Sequence, residues 1–101
     1  MDVGHTAEPA SCGMASWYQH TSRTASGEMA DPDSLAAAHR KFEFGTKVRV
    51  QNMRNGKTVI VRINDRGPFT KGRILDVTRA AARKLGFIKA GTAKICLETI
   101  P

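Results

Sequence analysis

The amino-acid sequence predicts a mainly β fold, a small barrel of short strands with one or two short helices. The first observation is a β-hairpin over residues 47–63, where polar and apolar side chains alternate in 47–51 and again in 58–63. The second is a helix over 79–85, with Thr78 as its N-cap and Gly86 just past its end. This pattern suits an OB-like barrel, an SH3-like barrel or another small barrel equally well.

The other elements follow in chain order. Residues 14–18 form a short strand candidate, and the polar residues 19–33 predict a long loop, of the kind that is often functional. Residues 34–40 predict a short helical turn, because an Ala run follows possible capping residues. Between the hairpin strands, Asn55-Gly56 predicts a type I′ turn.

Two further strands are expected, over 73–77 and 92–98. In the last strand Ile95 and Leu97 share one face, so Cys96 lies on the face opposite the core. Asp76 is expected to fix the turn into the helix. Of the neighbours Trp17 and Tyr18, strand alternation turns only one toward the core.

The chain has 101 residues, which fits one domain over 12–101 preceded by a flexible arm over 1–11. No apolar run reaches the length of about 20 residues that a membrane helix requires. Residues 1–5 lack a basic n-region and no apolar segment follows them, so no signal peptide is predicted in this sequence. From the residues alone, a cytosolic protein and the mature part of an exported protein fit equally.

The net charge of +7 is unevenly distributed. Residues 1–39 contain one Arg and five acidic residues, whereas residues 40–101 contain 15 Lys and Arg against four acidic residues. A basic surface favours polyanions, including nucleic acid and anionic polymers of the cell envelope. We expect no nucleic-acid partner, because the six aromatic residues form no stacking stripe among the basic ones.

Cys12 and Cys96 lie near opposite ends of the chain. In a reducing compartment they would be two unrelated thiols, but in an oxidising one they could join the first and last strands. We predict the disulfide. No metal site and no cofactor are predicted, because His5, His20 and His39 do not cluster with either Cys.

Carboxylates remain as the candidates for chemistry, since the serines have no Gly-x-Ser-x-Gly setting and no phosphate-binding glycine loop is present. Glu28 lies on the long loop and Asp65 lies just past the second hairpin strand. Both are beside glycine-containing turns, where side chains tend to be exposed. On residue type alone, each could equally be a solvated or turn-forming residue.

Several short segments, in order, change this assessment. They are Gly13-Met14-Ala15-Ser16-Trp17-Tyr18, Thr24-Ala25-Ser26-Gly27-Glu28, Leu35-Ala36-Ala37-Ala38-His39-Arg40, Phe44-Gly45-Thr46, Asn55-Gly56, Val61-Arg62-Ile63-Asn64-Asp65-Arg66-Gly67-Pro68-Phe69, Gly72-Arg73-Ile74-Leu75-Asp76 and Ala80-Ala81. With these segments the chain resembles the rare lipoprotein A family from about residue 12 to residue 97.

The resemblance implies a six-stranded double-psi β-barrel with a groove for a polysaccharide. Active members are lytic transglycosylases that cleave peptidoglycan glycan strands and leave 1,6-anhydro ends. The same fold occurs in expansin-like proteins, which bind or loosen wall polymers, and in small secreted protease inhibitors, so both remain alternatives. The resemblance further implies a periplasmic, secreted or cell-envelope protein with peptidoglycan strands as its partner, and we expect a monomer.

The family's two acidic positions fall on Glu28 and Asp65, which we take as the catalytic pair. If Arg62 or Arg66 is close to Asp65, that carboxyl is held ionised and suits the role of base or charge stabiliser, with Glu28 as the acid. Asp65 as the sole acid and base is the alternative. The predicted substrate-binding residues are Tyr18, which could stack on a sugar, together with His39, Asn64 and Arg66.

Overall fold

The computed structural model describes residues 11–101. Over this range six strands form a closed barrel with the neighbour order β1-β5-β2-β4-β3-β6. The strands are β1 (Ser11–Tyr18), β2 (Ala36–Ala38), β3 (Lys47–Asn52), β4 (Thr58–Asp65), β5 (Arg73–Thr78) and β6 (Thr92–Ile100), and the helix is α1 (Arg79–Leu85). The predicted fold class is confirmed, with one short helix in the described residues. Of the predicted arm, residues 1–10 lie outside the described range and Ser11 begins β1.

The pairing of the strands is mixed. β1 runs parallel to β5 and β2 runs parallel to β4, whereas the other four neighbouring pairs are antiparallel. Since parallel neighbours need a crossover connection, strands distant in sequence are brought side by side. No helix within residues 11–101 has the length and apolar character needed to cross a bilayer.

The core fills the inside of the barrel. Alternate residues of β3, β4 and β6 point inward, so that Val48, Val50, Ile63 and Ile95 are fully buried. The helix covers one end of this core with Leu85, which is also fully buried. The barrel is therefore packed with side chains, and a ligand site is expected on its outer surface.

The hairpin and the helix are confirmed, but the type I′ turn is wrong. A type I′ turn needs positive φ at both central residues, and here only Gly56, at φ 77°, is positive. The Asn55 amide instead donates to the Leu85 carbonyl at 3.0 Å, while its oxygen accepts from the Lys57 N–H at 2.9 Å. Contact with the end of the helix thus decides the conformation of the turn.

The short helical turn predicted over 34–40 is also wrong. Residues Ala36–Ala38 form β2, paired with β4 on one side and with β5 on the other. Alanine favours helix only weakly, by tenths of a kcal/mol per residue, and pairing on both edges overrides that preference. The small side chains suit a position between two strands in a crowded barrel.

The predicted disulfide is confirmed. Cys12 and Cys96 face each other on the antiparallel pair β1 and β6, and their sulfur atoms are 1.98 Å apart. Ile95 and Leu97 are buried on either side of Cys96, so the bridge lies on the outer face of the barrel as expected.

Candidate active site

Glu28 and Asp65 are held by one hydrogen-bonded unit, although 37 positions separate them in sequence. The buried amide of Asn64 donates to Glu28 Oε1 at 2.8 Å. In return, the backbone N–H of Ala25 donates to Asp65 Oδ1 at 2.8 Å. The loop that carries Glu28 and the end of β4 that carries Asp65 therefore fix each other.

The loop around Glu28 has a tight internal structure of its own. Thr24 is buried, and both its backbone N–H and its hydroxyl donate to the Glu28 carbonyl, at 2.8 and 2.9 Å. Gly27 turns the chain between them with φ at 93°, a conformation that other residues rarely adopt. This explains why a Thr-x-x-Gly-Glu sequence presents the carboxylate in one direction.

Glu28 is held ionised. Its Oε1 accepts from Arg62 Nη2 at 2.5 Å as well as from Asn64. The hydrogen bond from Arg62, followed by that from Asn64, lowers the pKa of the Glu28 carboxyl below its ordinary value and outweighs its partial burial. Arg62 pairs with Glu28 and not with Asp65, so it does not supply the contact on which the expected division of roles depended. The lowered pKa favours the ionised form of Glu28.

Asp65 has a different environment. Its Oδ1 accepts two backbone hydrogen bonds, from Ala25 and from its own neighbour Arg66 at 2.9 Å. Its backbone carbonyl accepts from the His39 N–H at 3.1 Å, so the residue is fixed at both ends. Both hydrogen bonds to the carboxylate end on Oδ1, so Oδ2 is the oxygen that can contact other groups.

His39 follows β2 and is half-buried. Its Nδ1 accepts from the backbone N–H groups of Lys41 and Phe42, at 3.0 and 3.1 Å, so a neutral ring carries its proton on Nε2. Burial, and then the positive charges of Arg40, Arg66 and Lys41, lower its pKa. Its ring stacks on Phe42 at a centroid distance of 3.8 Å. His39 is therefore a neutral donor beside the Asp65 backbone.

Arg66 clamps the segment that follows β2. Its Nη1 donates to the carbonyl oxygens of His39 and Phe42, at 3.2 and 2.7 Å, and its guanidinium lies 4.1 Å from the centroid of the Phe44 ring. These contacts use the side chain to hold His39 in place. Substrate binding by Arg66 stays a prediction, and its contacts favour a positioning role.

Trp17 and Tyr18 face opposite ways, as strand alternation requires. Trp17 packs on the core and its Nε1 donates to the Ile88 carbonyl at 3.2 Å. The Tyr18 ring stacks on His20 at 4.6 Å, and its hydroxyl is buried without a hydrogen-bond partner among residues 11–101. Burial, and then the charges of Asp65, Asp76 and Glu28, raise the pKa of Tyr18. The Tyr18 hydroxyl thus belongs to the carboxylate cluster, while one face of its ring is already covered.

Asp76 is the residue at this site that the sequence analysis misplaced. It lies within β5 and does not form the turn into the helix, since Thr78 caps the helix by accepting from the Ala81 N–H. Its Oδ1 accepts from the Ser16 hydroxyl at 2.9 Å. Burial is the largest influence on its pKa and raises it, against the lowering effects of Ser16, Arg73 and His20. Only the fold could show this, because Ser16 is 60 positions away.

Three carboxyl groups, those of Glu28, Asp65 and Asp76, lie near enough to the Tyr18 hydroxyl for their charges to raise its pKa. The pKa of Glu28 is lowered by its hydrogen bonds, and the pKa of Asp76 is raised by burial. Environments that separate the pKa values of neighbouring groups are typical of acid–base sites. Within residues 11–101, no group of three or more His, Cys, Asp or Glu side chains is arranged to hold a metal ion.

Comparisons with known proteins show the family to which the chain belongs. Residues 10–97 match the family described as lytic transglycolase. The chain is 46% identical over 98% of its length to a probable endolytic peptidoglycan transglycosylase RlpA of Synechocystis, and 50% identical over 93% of its length to an endolytic peptidoglycan transglycosylase RlpA of Neisseria meningitidis. It covers 32% and 41% of those two relatives.

Among solved structures, the Streptomyces papain inhibitor has the same fold, with a TM-score of 0.78 and 21% identity, over 95% of this chain and 98% of that one. The likeness at that identity concerns the fold alone. The family match covers nearly every described strand and both carboxylates held by the Asn64 unit. The chain therefore belongs to the lytic transglycolase family and carries the double-psi β-barrel domain that the rare lipoprotein A resemblance implied.

Proposed function

We propose that this chain cleaves the glycan strands of peptidoglycan lytically and leaves 1,6-anhydro ends. The observation that carries the proposal is the mutual fixing of Glu28 and Asp65 in a chain that matches the lytic transglycolase family over residues 10–97. The relatives named endolytic peptidoglycan transglycosylases are about twice to three times as long, so the domain is proposed to hold the chemistry by itself.

Cleavage of a glycosidic bond builds positive charge on the sugar ring and negative charge on the leaving oxygen. A fixed anion next to the ring stabilises the positive charge, and a proton donor stabilises the negative charge on the leaving oxygen. In a lytic reaction the sugar's own 6-hydroxyl attacks C1, so a base must also take the proton of that hydroxyl. The site therefore needs one permanent anion and at least one carboxyl that exchanges protons.

The contacts support a specific division of these roles. Glu28, paired with Arg62 and Asn64, is the permanent anion that stabilises the charged sugar ring. Asp65, held through Oδ1 by two backbone N–H groups, is the carboxyl that exchanges protons with the reacting sugar. His39 is a neutral donor to the substrate, and Arg66 keeps His39 in position.

The proposed substrate also suggests where the protein acts and what it contacts there. A protein that acts on peptidoglycan works outside the cytoplasmic membrane, in the periplasm or elsewhere in the cell envelope. The disulfide fits an oxidising compartment of that kind. The net charge of +7 favours weak electrostatic contact with anionic envelope polymers, and we propose that the domain acts as a monomer.

The test is mass spectrometry of sacculi and of peptide-free glycan strands after incubation with the protein. Release of 1,6-anhydro products without uptake of oxygen from isotopically labelled water is the expected result. Asp65→Asn and Glu28→Gln should each lower the rate by at least about 100-fold, since positioned proton transfer and charge stabilisation each contribute that much. The matched control is Glu98→Gln, which removes an exposed carboxylate on β6.

The alternatives give different outcomes in the same experiment. A protein that sediments with sacculi but releases no sugar would be a non-catalytic wall-polymer binder of the expansin type. Products that carry labelled oxygen would make the protein a hydrolase. A protein that neither binds nor cleaves the wall, but inhibits a cysteine protease, would share the function as well as the fold of the papain inhibitor.

A further inference from the structure

The end of the helix and the turn between β3 and β4 meet at one corner of the barrel. The amides of Asn52 and Asn55 both donate to the Leu85 carbonyl, at 2.9 and 3.0 Å. The Met53 N–H donates to the Lys94 carbonyl on β6 at 3.0 Å. The turn, the end of α1 and the start of β6 are therefore neighbours, although 33 positions separate Asn52 from Leu85.

Six exposed cations stand on these neighbouring segments. Together we call them the basic surface, and they are Arg54, Lys57, Arg83, Lys84, Lys89 and Lys94. The stretches 44–64 and 77–97, which supply all six, contain no acidic residue. The ion pairs in the described part of the chain use Arg49, Arg62 and Arg79 instead. Cations that no acidic group offsets give this surface a positive potential.

The cations stand on a filled surface and not around a cleft. The Lys57 side chain lies beside Gly86, so that a Cβ added to that glycine would be 3.6 Å from Lys57 Nζ. The same Cβ would be only 2.9 Å from the Asn55 amide nitrogen. The turn and the helix end thus leave no room for a small ligand between them. A filled surface with separate cations suits a broad anionic partner.

An exposed apolar side chain distinguishes between the possible broad partners. Met53, at the start of the turn, is 49% exposed and is followed by the exposed Arg54. A soluble polyanion offers a thioether side chain no apolar contact. A lipid bilayer offers anionic headgroups to the cations and an apolar layer to the methionine. The combination of Met53 with unpaired cations therefore favours a bilayer.

We propose that the basic surface docks on a bilayer that contains anionic lipids, with its cations on the headgroups and Met53 inserted between them. The contact goes beyond the proposed function and does not depend on it. Thr58 begins β4 beside the turn, and Asp65 ends the strand seven residues further on. Seven residues of a strand span about 23 Å. Docking in this way keeps the Asp65 carboxyl clear of the bilayer.

The test is sedimentation of the protein with vesicles of 30% phosphatidylglycerol in phosphatidylcholine at 0.1 M salt. Each basic residue near an anionic surface strengthens binding about five-fold, so removing three should weaken it about 100-fold. The test variant is the triple change Arg54→Gln, Lys57→Gln and Lys84→Gln. Wild-type binding should disappear on pure phosphatidylcholine and at 1 M salt, since salt screens exposed charges.

A matched control removes the same charge elsewhere. Arg40, Lys41 and Lys71 are exposed on the segments that follow β2 and β4, beyond Asp65 along the chain or next to its partner strand. Their triple change to Gln should weaken vesicle binding by less than about 3-fold. Equal losses in the two triple variants would mean that only net charge matters, and would overturn the proposal.

Met53 supplies two further measurements. Met53→Ser should weaken vesicle binding at least about 3-fold and leave binding to a soluble polyphosphate chain unchanged. Cys12 and Cys96 are bonded to each other, so a new cysteine can be labelled selectively. A polarity-sensitive dye on Met53→Cys should shift to the blue on vesicles, whereas the same dye on Thr70→Cys should not.

Three results would overturn the proposal. Wild-type protein that binds polyphosphate but not the anionic vesicles would have a soluble polyanion as its partner. Equal dye shifts at the two labelled positions would mean that the domain has no preferred orientation on the bilayer. Lysines that serve only the helix C-terminus would lower the melting temperature of the first triple variant and leave its vesicle binding unchanged. None of these measurements uses glycan cleavage, so they stand whether or not the proposed function holds.

Discussion

Two regions of the barrel are held together in different ways. The wall formed by β1, β6 and β3 has alternate side chains buried in the core and a disulfide across its outer face. In the loop over 19–33, by contrast, only Thr24 and Ala30 are buried, and hydrogen bonds to the end of β4 fix its position. Different contacts therefore maintain the stability of the fold and the geometry of the catalytic groups. Either set of contacts can be removed without the other.

The largest expected effect concerns the wall. The double variant Cys12→Ser with Cys96→Ser should lose about 4–5 kcal/mol of unfolding free energy, because the disulfide closes a loop of 84 positions in the unfolded chain. Urea unfolding measures this loss. Below its melting transition, the variant should retain the wild-type rate on glycan strands. A folded variant with a lost site would contradict the separation of the two regions.

The next effect concerns the contact between the end of β5 and the segment that follows the loop. The Thr78 hydroxyl donates to the Ser34 carbonyl at 2.6 Å and accepts from the Ala81 N–H at the start of the helix. Thr78→Ala should therefore cost about 1–2 kcal/mol of unfolding free energy, as measured by urea or thermal unfolding. Thr78→Ser keeps the hydroxyl and is the matched control. Equal destabilisation by both variants would assign the effect to the lost methyl group.

A smaller effect on stability, but a clear one on pH dependence, is expected at the site. The pKa of Glu28 is lowered in the folded protein, so its interactions stabilise the fold above the ordinary glutamate pKa and are lost as the pH falls through the lowered one. Arg62→Gln removes the main cause. The acid limb of the rate on glycan strands should move to higher pH, as measured by a pH profile.

The stability of Arg62→Gln supplies the control for this prediction. The pair between Arg62 and Glu28 is about half exposed, and such pairs contribute little to stability. The unfolding free energy of Arg62→Gln should therefore differ little from that of the wild type at neutral pH, and still less in acid. An unchanged pH profile would mean that the charge of Glu28 does not limit the rate.

The smallest effect is expected for the ion pair between Arg49 and Glu98 on the outer face of the wall. Their side chains are 51% and 38% exposed and 3.0 Å apart, and pairs that solvent reaches in this way contribute at most about 1 kcal/mol. Arg49→Gln should change neither the melting temperature nor the rate appreciably. A large fall in the melting temperature would show that the pair stabilises the fold, and a large fall in the rate would show that this face takes part in the function.

Local signals in the sequence predicted the elements whose hydrogen bonds are local. The hairpin strands alternate, and the helix carries its cap at Thr78 and its stop at Gly86. The strand β2 could not be predicted in this way, because three alanines become a strand only through partners on β4 and β5. The helical turn was predicted wrongly because the partners of β2 are distant in sequence, and not because the local pattern was weak.

The same reason explains which parts of the site were predictable. The resemblance pointed to Glu28 and Asp65 as residues, but the pKa of Glu28 depends on neighbours that the fold supplies. Arg62 is three positions from Asp65, yet it pairs with Glu28, 34 positions away. Asp76 accepts a hydrogen bond from Ser16, which is 60 positions away. The sequence alone could not show this contact, and it predicted a turn residue instead.

The disulfide also determines how the domain responds to mechanical force. Cys12 and Cys96 are joined covalently, and only Ser11 of β1 and residues 97–100 of β6 lie outside them. Tension applied to chain segments beyond the two cysteines passes directly through the sulfur–sulfur bond. Residues 97–100 pair with β3, so these pairs must separate before the full tension reaches the disulfide. The segments that carry Glu28, Asp65 and Asp76 lie inside the covalent loop and are then bypassed by the load.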